Sequence, residues 1–133
     1  MRHTVNSLWI GTLIAFAMHN AEEVIAFSSG WSAHHLPRLA WTVSYWPEFA
    51  IAATVLTLVS ILVAFALRHR PRTSSKLLQI FLWVMLGNVL WHIGVSVYTR
   101  SVAPGVVTAV LLLLPLYSFY LTRLSKTDYV SAA

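Results

Sequence analysis

The chain has 133 residues, of which 58% are apolar and 10% charged, against a charged share of about 25% in ordinary soluble domains. That balance excludes a water-soluble globular domain and points to a membrane protein. The lack of cysteine excludes disulfides, a thiolate nucleophile and sulfur ligands, and the net charge of +5 is assigned to one membrane face, not to a nucleic-acid partner.

Four apolar runs follow one another at about 8–27, 47–67, 77–98 and 104–121, each near the roughly 20 residues that a helix needs to cross a bilayer. They predict an all-α protein, a four-transmembrane-helix bundle in a single integral membrane domain, 1–133. The first run is interrupted by His19-Asn20-Ala21-Glu22-Glu23. An ionisable side chain at that depth costs about 2.5 kcal/mol or more, so such groups pair, bind something or line a cavity. The spacing i, i+3, i+4 puts His19, Glu22 and Glu23 on one helical face. A secretory signal peptide is the rival for this run, since Arg2 precedes it and small residues follow Phe27. His19, Glu22 and Glu23 would spoil an apolar region of roughly 7–15 residues, which favours the span.

The connection 28–46 is too apolar for a plain solvated loop. Leu36, Leu39, Ala40 and Val43 recur at i, i+3, i+4, i+7, which fits either a short interfacial amphipathic helix or the start of a longer, tilted second span. His34 and His35 precede it, close enough in sequence to join a site at the outer end. Pro47 and Glu48 suit the first turn of the second helix. The basic, proline-interrupted stretch 68–76 reads as a tight loop. The third run carries Asn88 and His92 at i, i+4, with Trp83 and Trp91 expected to pack within the bundle, and Pro104-Gly105 starts the fourth.

Four spans place Arg2, Arg68, Arg70, Arg72, Lys76, Arg123 and Lys126 on one side and Arg38 and Arg100 on the other. The positive-inside rule then puts both termini in the cytoplasm, in a cytoplasmic membrane of bacterial type. Trp9, Tyr117 and Tyr120 are expected at the inner interface, and Trp31, Trp41, Tyr45, Trp46 and Tyr98 at the outer one. The first and third runs are parallel, so depth can be compared at ~1.5 Å per residue. His19 and Glu23 lie roughly 16 and 22 Å above Leu8, and Asn88 and His92 lie at about the same heights above Leu77. The two polar stripes therefore meet at one level in the outer half of the bundle.

Imidazoles and carboxylates on facing helices are the usual donors of metal sites in bundles. His19, His92 and Glu23, or Glu22 in its place, are the candidate ligands; the set suits Zn²⁺ with an open position and equally non-haem Fe(II). Glu22, Glu23 and Asn88 are the candidate catalytic groups, a second carboxylate taking the proton of an activated water. Without a metal, a Glu acting as acid and an imidazole as base would serve proton transfer to an apolar double bond. The alternative for the same residues is a structural polar network fixing helix register.

The motif His19-Asn20-Ala21-Glu22-Glu23, followed by Asn88, His92, Tyr98, Pro104-Gly105 and Thr108-Ala109, resembles the HXXEE-motif family of small multi-span membrane proteins over most of the chain. The resemblance implies no assigned reaction, only an expectation of enzymatic or metal-binding chemistry at His19, Glu22, Glu23, Asn88 and His92. The expected function is a small integral-membrane enzyme acting on a lipid or other apolar molecule, by hydrolysis or proton-transfer isomerisation. The alternatives are a cation- or proton-binding carrier or channel subunit, which a narrow bundle would form as an oligomer, and an accessory subunit of a membrane complex.

Overall fold

The structure is a computed structural model that describes the backbone of residues 2–31, 35 and 46–130, with side chains over 4–31, 35 and 47–125. Every regular element among the described residues is helical. The long helices are α1 (Arg2–Ser28), α2 (Trp46–Ala66), α3 (Pro71–Thr99) and α4, the last made of Val106–Thr108, a π-helical stretch Ala109–Leu113 and Leu114–Val130. His34 and the amphipathic pattern from Leu36 to Val43 lie outside the described residues.

Three helices are long and apolar enough to cross a membrane, at Pro47–Ala66, Pro71–Thr99 and Val106–Ser125. α1 has the length, 27 residues, but His19, Asn20, Glu22 and Glu23 hold its apolarity below that of the other three. The four equivalent spans expected from sequence thus resolve into three plainly apolar helices and one with a polar insert. α2 is apolar all round, with Ile51, Leu58, Leu62 and Phe65 exposed. Only 6% of its span is buried inside the protein, against 22% for α3. Monomeric soluble proteins rarely leave a contiguous apolar surface of that kind, so it faces lipid or a partner.

α3 begins earlier than the sequence suggests. Pro71 sits in its first turn, where the missing N–H costs nothing and the fixed φ is already helical. The loop expected over 68–76 therefore shrinks to a turn through 67–70. Ser74 and Ser75 are buried, and the Ser74 hydroxyl accepts the Trp9 indole N–H at 2.8 Å. Trp9 accordingly points into the bundle and stacks at a tilt on Phe81, not outward as a belt residue. Tyr117 is also fully buried and donates its hydroxyl to the Thr12 carbonyl at 2.9 Å. Trp83 and Trp91, expected inside, are 65% and 68% exposed on the outward face of α3.

The core lies between α1, α3 and α4, where Val5, Leu78, Leu82, Val89, Leu113 and Leu124 are almost fully buried. Gly11 lets α1 and α4 approach, because a Cβ there would collide with the Tyr120 hydroxyl. α2 stands outside this trio, held to α1 by Asn20, whose amide donates to Thr57 Oγ1 at 2.9 Å and to the Ala53 carbonyl at 3.4 Å, and by the Phe27–Phe49 ring contact. In α4, Pro115 cannot donate a backbone N–H. The wider π turn stands immediately before it, a common way to accommodate a break in the α-helical ladder.

Candidate metal centre

The chain is brought to this site by the reversal between α3 and α4. α3 stops at Arg100, which takes a left-handed φ of 50° and gives its N–H to the Ser96 and Val97 carbonyls. The Ser96 hydroxyl then accepts the Ala103 N–H at 3.1 Å, and Gly105, at φ 79°, turns the chain into α4. A left-handed φ favours glycine, and space demands it as well. A Cβ on Gly105 would stand 2.7 Å from His19 Cε1, 2.9 Å from Glu23 Cγ and 2.9 Å from His92 Cε1. The turn is thus the floor of a cluster made by α1 and α3.

His19 (1% exposed) and His92 (6% exposed) face each other edge to face, their ring centroids 4.8 Å apart. Glu23 reaches between them, with Oε1 3.3 Å from His92 Nε2 and Oε2 3.9 Å from His19 Nε2. One ligand atom from each of the three lies within 4.8 Å of the others. Ligands held at about 2.0–2.2 Å in a tetrahedron stand roughly 3.3–3.6 Å apart, so a small contraction would bring this trio onto a common ion. Asn88 sits beside them, its Nδ2 3.0 Å from His19 Nε2 and 3.1 Å from His92 Nε2. The residues of equal expected depth, His19 with Asn88 and Glu23 with His92, are in contact.

The opposite edge of His19 is tied elsewhere. Its Nδ1 is 3.0 Å from Thr108 Oγ1, and the Thr108 hydroxyl donates to Glu22 Oε2 at 2.6 Å. With that hydroxyl committed as donor, Oγ1 accepts from His19, which places the ring proton on Nδ1 and leaves the Nε2 lone pair directed at Glu23 and Asn88. This is the tautomer that a metal requires of a ligand coordinating through Nε2. The same reasoning fits Asn88, whose two amide hydrogens can serve the two Nε2 atoms; hydrogen positions here are assigned from the bonding pattern.

Glu22 accepts three hydrogen bonds, from the Thr108 hydroxyl, from the Thr108 N–H at 2.8 Å and from the Val107 N–H at 3.2 Å. It thereby caps the start of α4, where the first N–H groups lack intrahelical partners and the helix dipole favours an anion. The two adjacent glutamates differ because one helical residue is a 100° step. Glu23 turns to the two imidazoles and Glu22 to α4. Of the other expected residues, Glu48 is exposed in the first turn of α2, and His35 is exposed, stacked on Trp31. Thr108 and Gly105 carry more of the site than motif reasoning assigns them. Their signal in sequence was present only as members of the resemblance, since a threonine and a glycine lack intrinsic metal chemistry.

An all-helical protein with membrane-span-like helices and a buried His/Glu cluster is the class that fold and site define together. The family comparison narrows this: the model for proteins of unknown function with an HXXEE motif matches residues 9–120. The chain belongs to that family. No curated protein and no solved structure matches it.

Proposed function

We propose that the protein is a small integral-membrane enzyme whose His19, His92 and Glu23 hold one divalent ion, zinc or iron(II), and that it acts on a lipid or another apolar molecule. The observation that carries this reading is the convergence of two imidazoles and a carboxylate from α1 and α3 within 4.8 Å, at a depth where unpaired ionisable groups are costly. In this reading α1 is the fourth span, because its polar groups are turned inward while Ile10, Ile14 and Met18 face outward. Both termini then lie in the cytoplasm by the charge asymmetry of the loops.

Such an ion supplies Lewis-acid activation of a water or carbonyl. Asn88 stands beside the open side of the trio and would hydrogen-bond the group bound there. Glu22 is already engaged by three donors, so it suits the role of holding the start of α4, and Glu23 is the carboxylate that serves as ligand. A carrier is less well supported, because the cytoplasmic half between α1, α3 and α4 is filled by Leu78, Leu82, Tyr117 and Leu124, all at most 1% exposed.

Elemental analysis of the purified protein tests the proposal. The expected result is near-stoichiometric zinc or iron in the wild type, lost in His19→Ala and in Glu23→Gln while helical content is kept. Wild-type protein purified without chelators that neither retains nor takes up either ion would overturn it.

A further inference from the structure

One cleft between the helices has site residues in its wall. It has a volume of about 350 Å³ and lies between α1, α2 and α3, with Asn20, Glu23 and Asn88 as its polar members. Its apolar lining falls on helical stripes: Phe49, Ala52, Ala53 and Leu56 at i, i+3, i+4, i+7 on α2, opposite Val84 and Met85 on α3. The cleft exists because α2 leans on α1 and presents two alanines where larger side chains would close the gap to α3. Its open side is bounded by Leu56 and Val84, which are 54% and 65% exposed at the level of the apolar spans. An apolar cavity ending in a few convergent polar groups is the usual form of a small-molecule site, and this one lies near the lower end of the roughly 300–1,000 Å³ range.

We propose that this cleft binds the tail of a single-chain membrane amphiphile, a fatty-acyl or isoprenyl compound, which enters sideways between α2 and α3 with its polar group at Glu23 and Asn88. This deepens the enzyme reading and rests on the membrane placement given above. The size argues for one chain and against a two-chain phospholipid. The polar end argues for an amphiphile, because a pure hydrocarbon would press apolar matter against the Glu23 carboxylate and the Asn88 amide where the polar group of an amphiphile can meet them. The lateral opening argues for delivery from the bilayer, where such a compound is already dissolved.

The test uses the full-length protein in lipid nanodiscs and a twelve-carbon primary alcohol carrying a diazirine on its chain, with plain dodecanol as competitor. Saturable, competed labelling is expected on the peptides holding Phe49 to Leu56 and Val84 to Asn88. Ala52→Phe, at an exposed position, should cut that labelling about tenfold or more and leave metal content unchanged. Leu111→Phe, at a position of α4 where the leucine is 73% exposed, should leave the labelling as it is. Labelling of the cleft that rises linearly and resists competition, as at Leu111, would mean ordinary bilayer contact and overturn the proposal. Saturable labelling in a protein that takes up no metal would support the cleft and sink the metal reading, so the two fail separately.

Discussion

The two edges of the His19 ring face different kinds of surroundings. On the Nδ1 edge, Thr108, Glu22 and the first N–H groups of α4 form a closed set in which donors meet acceptors. On the Nε2 edge, His92, Glu23 and Asn88 bring nitrogen and oxygen atoms together around a common point with fewer fixed donors among them. The first edge resembles a helix cap, and its role is to hold the ring. The second resembles a ligand set, and it borders the cleft. Two neighbouring glutamates of one motif are thus turned to different neighbours, Glu22 to the start of α4 and Glu23 to the two imidazoles, by a single step of the helix.

Several substitutions would break or sharpen that contrast. The largest effect is expected for Gly105→Ala, which serves both edges. The added methyl group would press on His19, Glu23 and His92 at once and force a left-handed φ on an L-residue, a combined cost of about 3 kcal/mol or more. Thermal unfolding in detergent should show a sharply lower Tm, together with loss of metal. Glu22→Gln comes next: it removes the charge from an acceptor of three hydrogen bonds, each worth about 1.5–3 kcal/mol when charge-assisted but only partly lost on amide substitution. A destabilisation of about 2 kcal/mol is expected by the same measurement. Thr108→Val should leave Tm less affected but weaken metal binding about tenfold, as loss of an outer partner of a ligating histidine does. ¹⁵N spectra should show the His19 proton redistributed from Nδ1, and Thr108→Ser should restore it. The smallest effect is expected far from the site. Ser74→Ala leaves the Trp9 N–H without its acceptor, a cost of about 1 kcal/mol, with metal content untouched.

The sequence and the structure agree where periodicity and spacing carry the signal. Apolar runs located all four helices, and depth counting along α1 and α3 paired His19 with Asn88 and Glu23 with His92. It was less informative wherever a backbone turn or a neighbouring helix decided the outcome. Pro71 read as a loop breaker, yet it opens α3, because Ser74 finds a partner in Trp9 only once the chain is folded. Trp9 and Tyr117 read as interfacial aromatics, yet their polar atoms are satisfied inside the bundle. Glu22 and Glu23 could not be told apart, because their different tasks depend on α4, whose start is set by the Gly105 turn some eighty positions later. The role of Thr108 depends on the same turn. The small residues at Ala52 and Ala53 also said nothing on their own, since a cleft is defined by what the third helix leaves uncovered.

The most direct test of the account compares the metal-to-protein ratio of Glu22→Gln and Glu23→Gln, purified side by side and matched for helical content. The account predicts a ratio near that of the wild type for Glu22→Gln, despite its lower Tm, and almost no metal for Glu23→Gln. Equal retention in both variants, or loss in Glu22→Gln alone, would contradict the division of labour across the His19 ring.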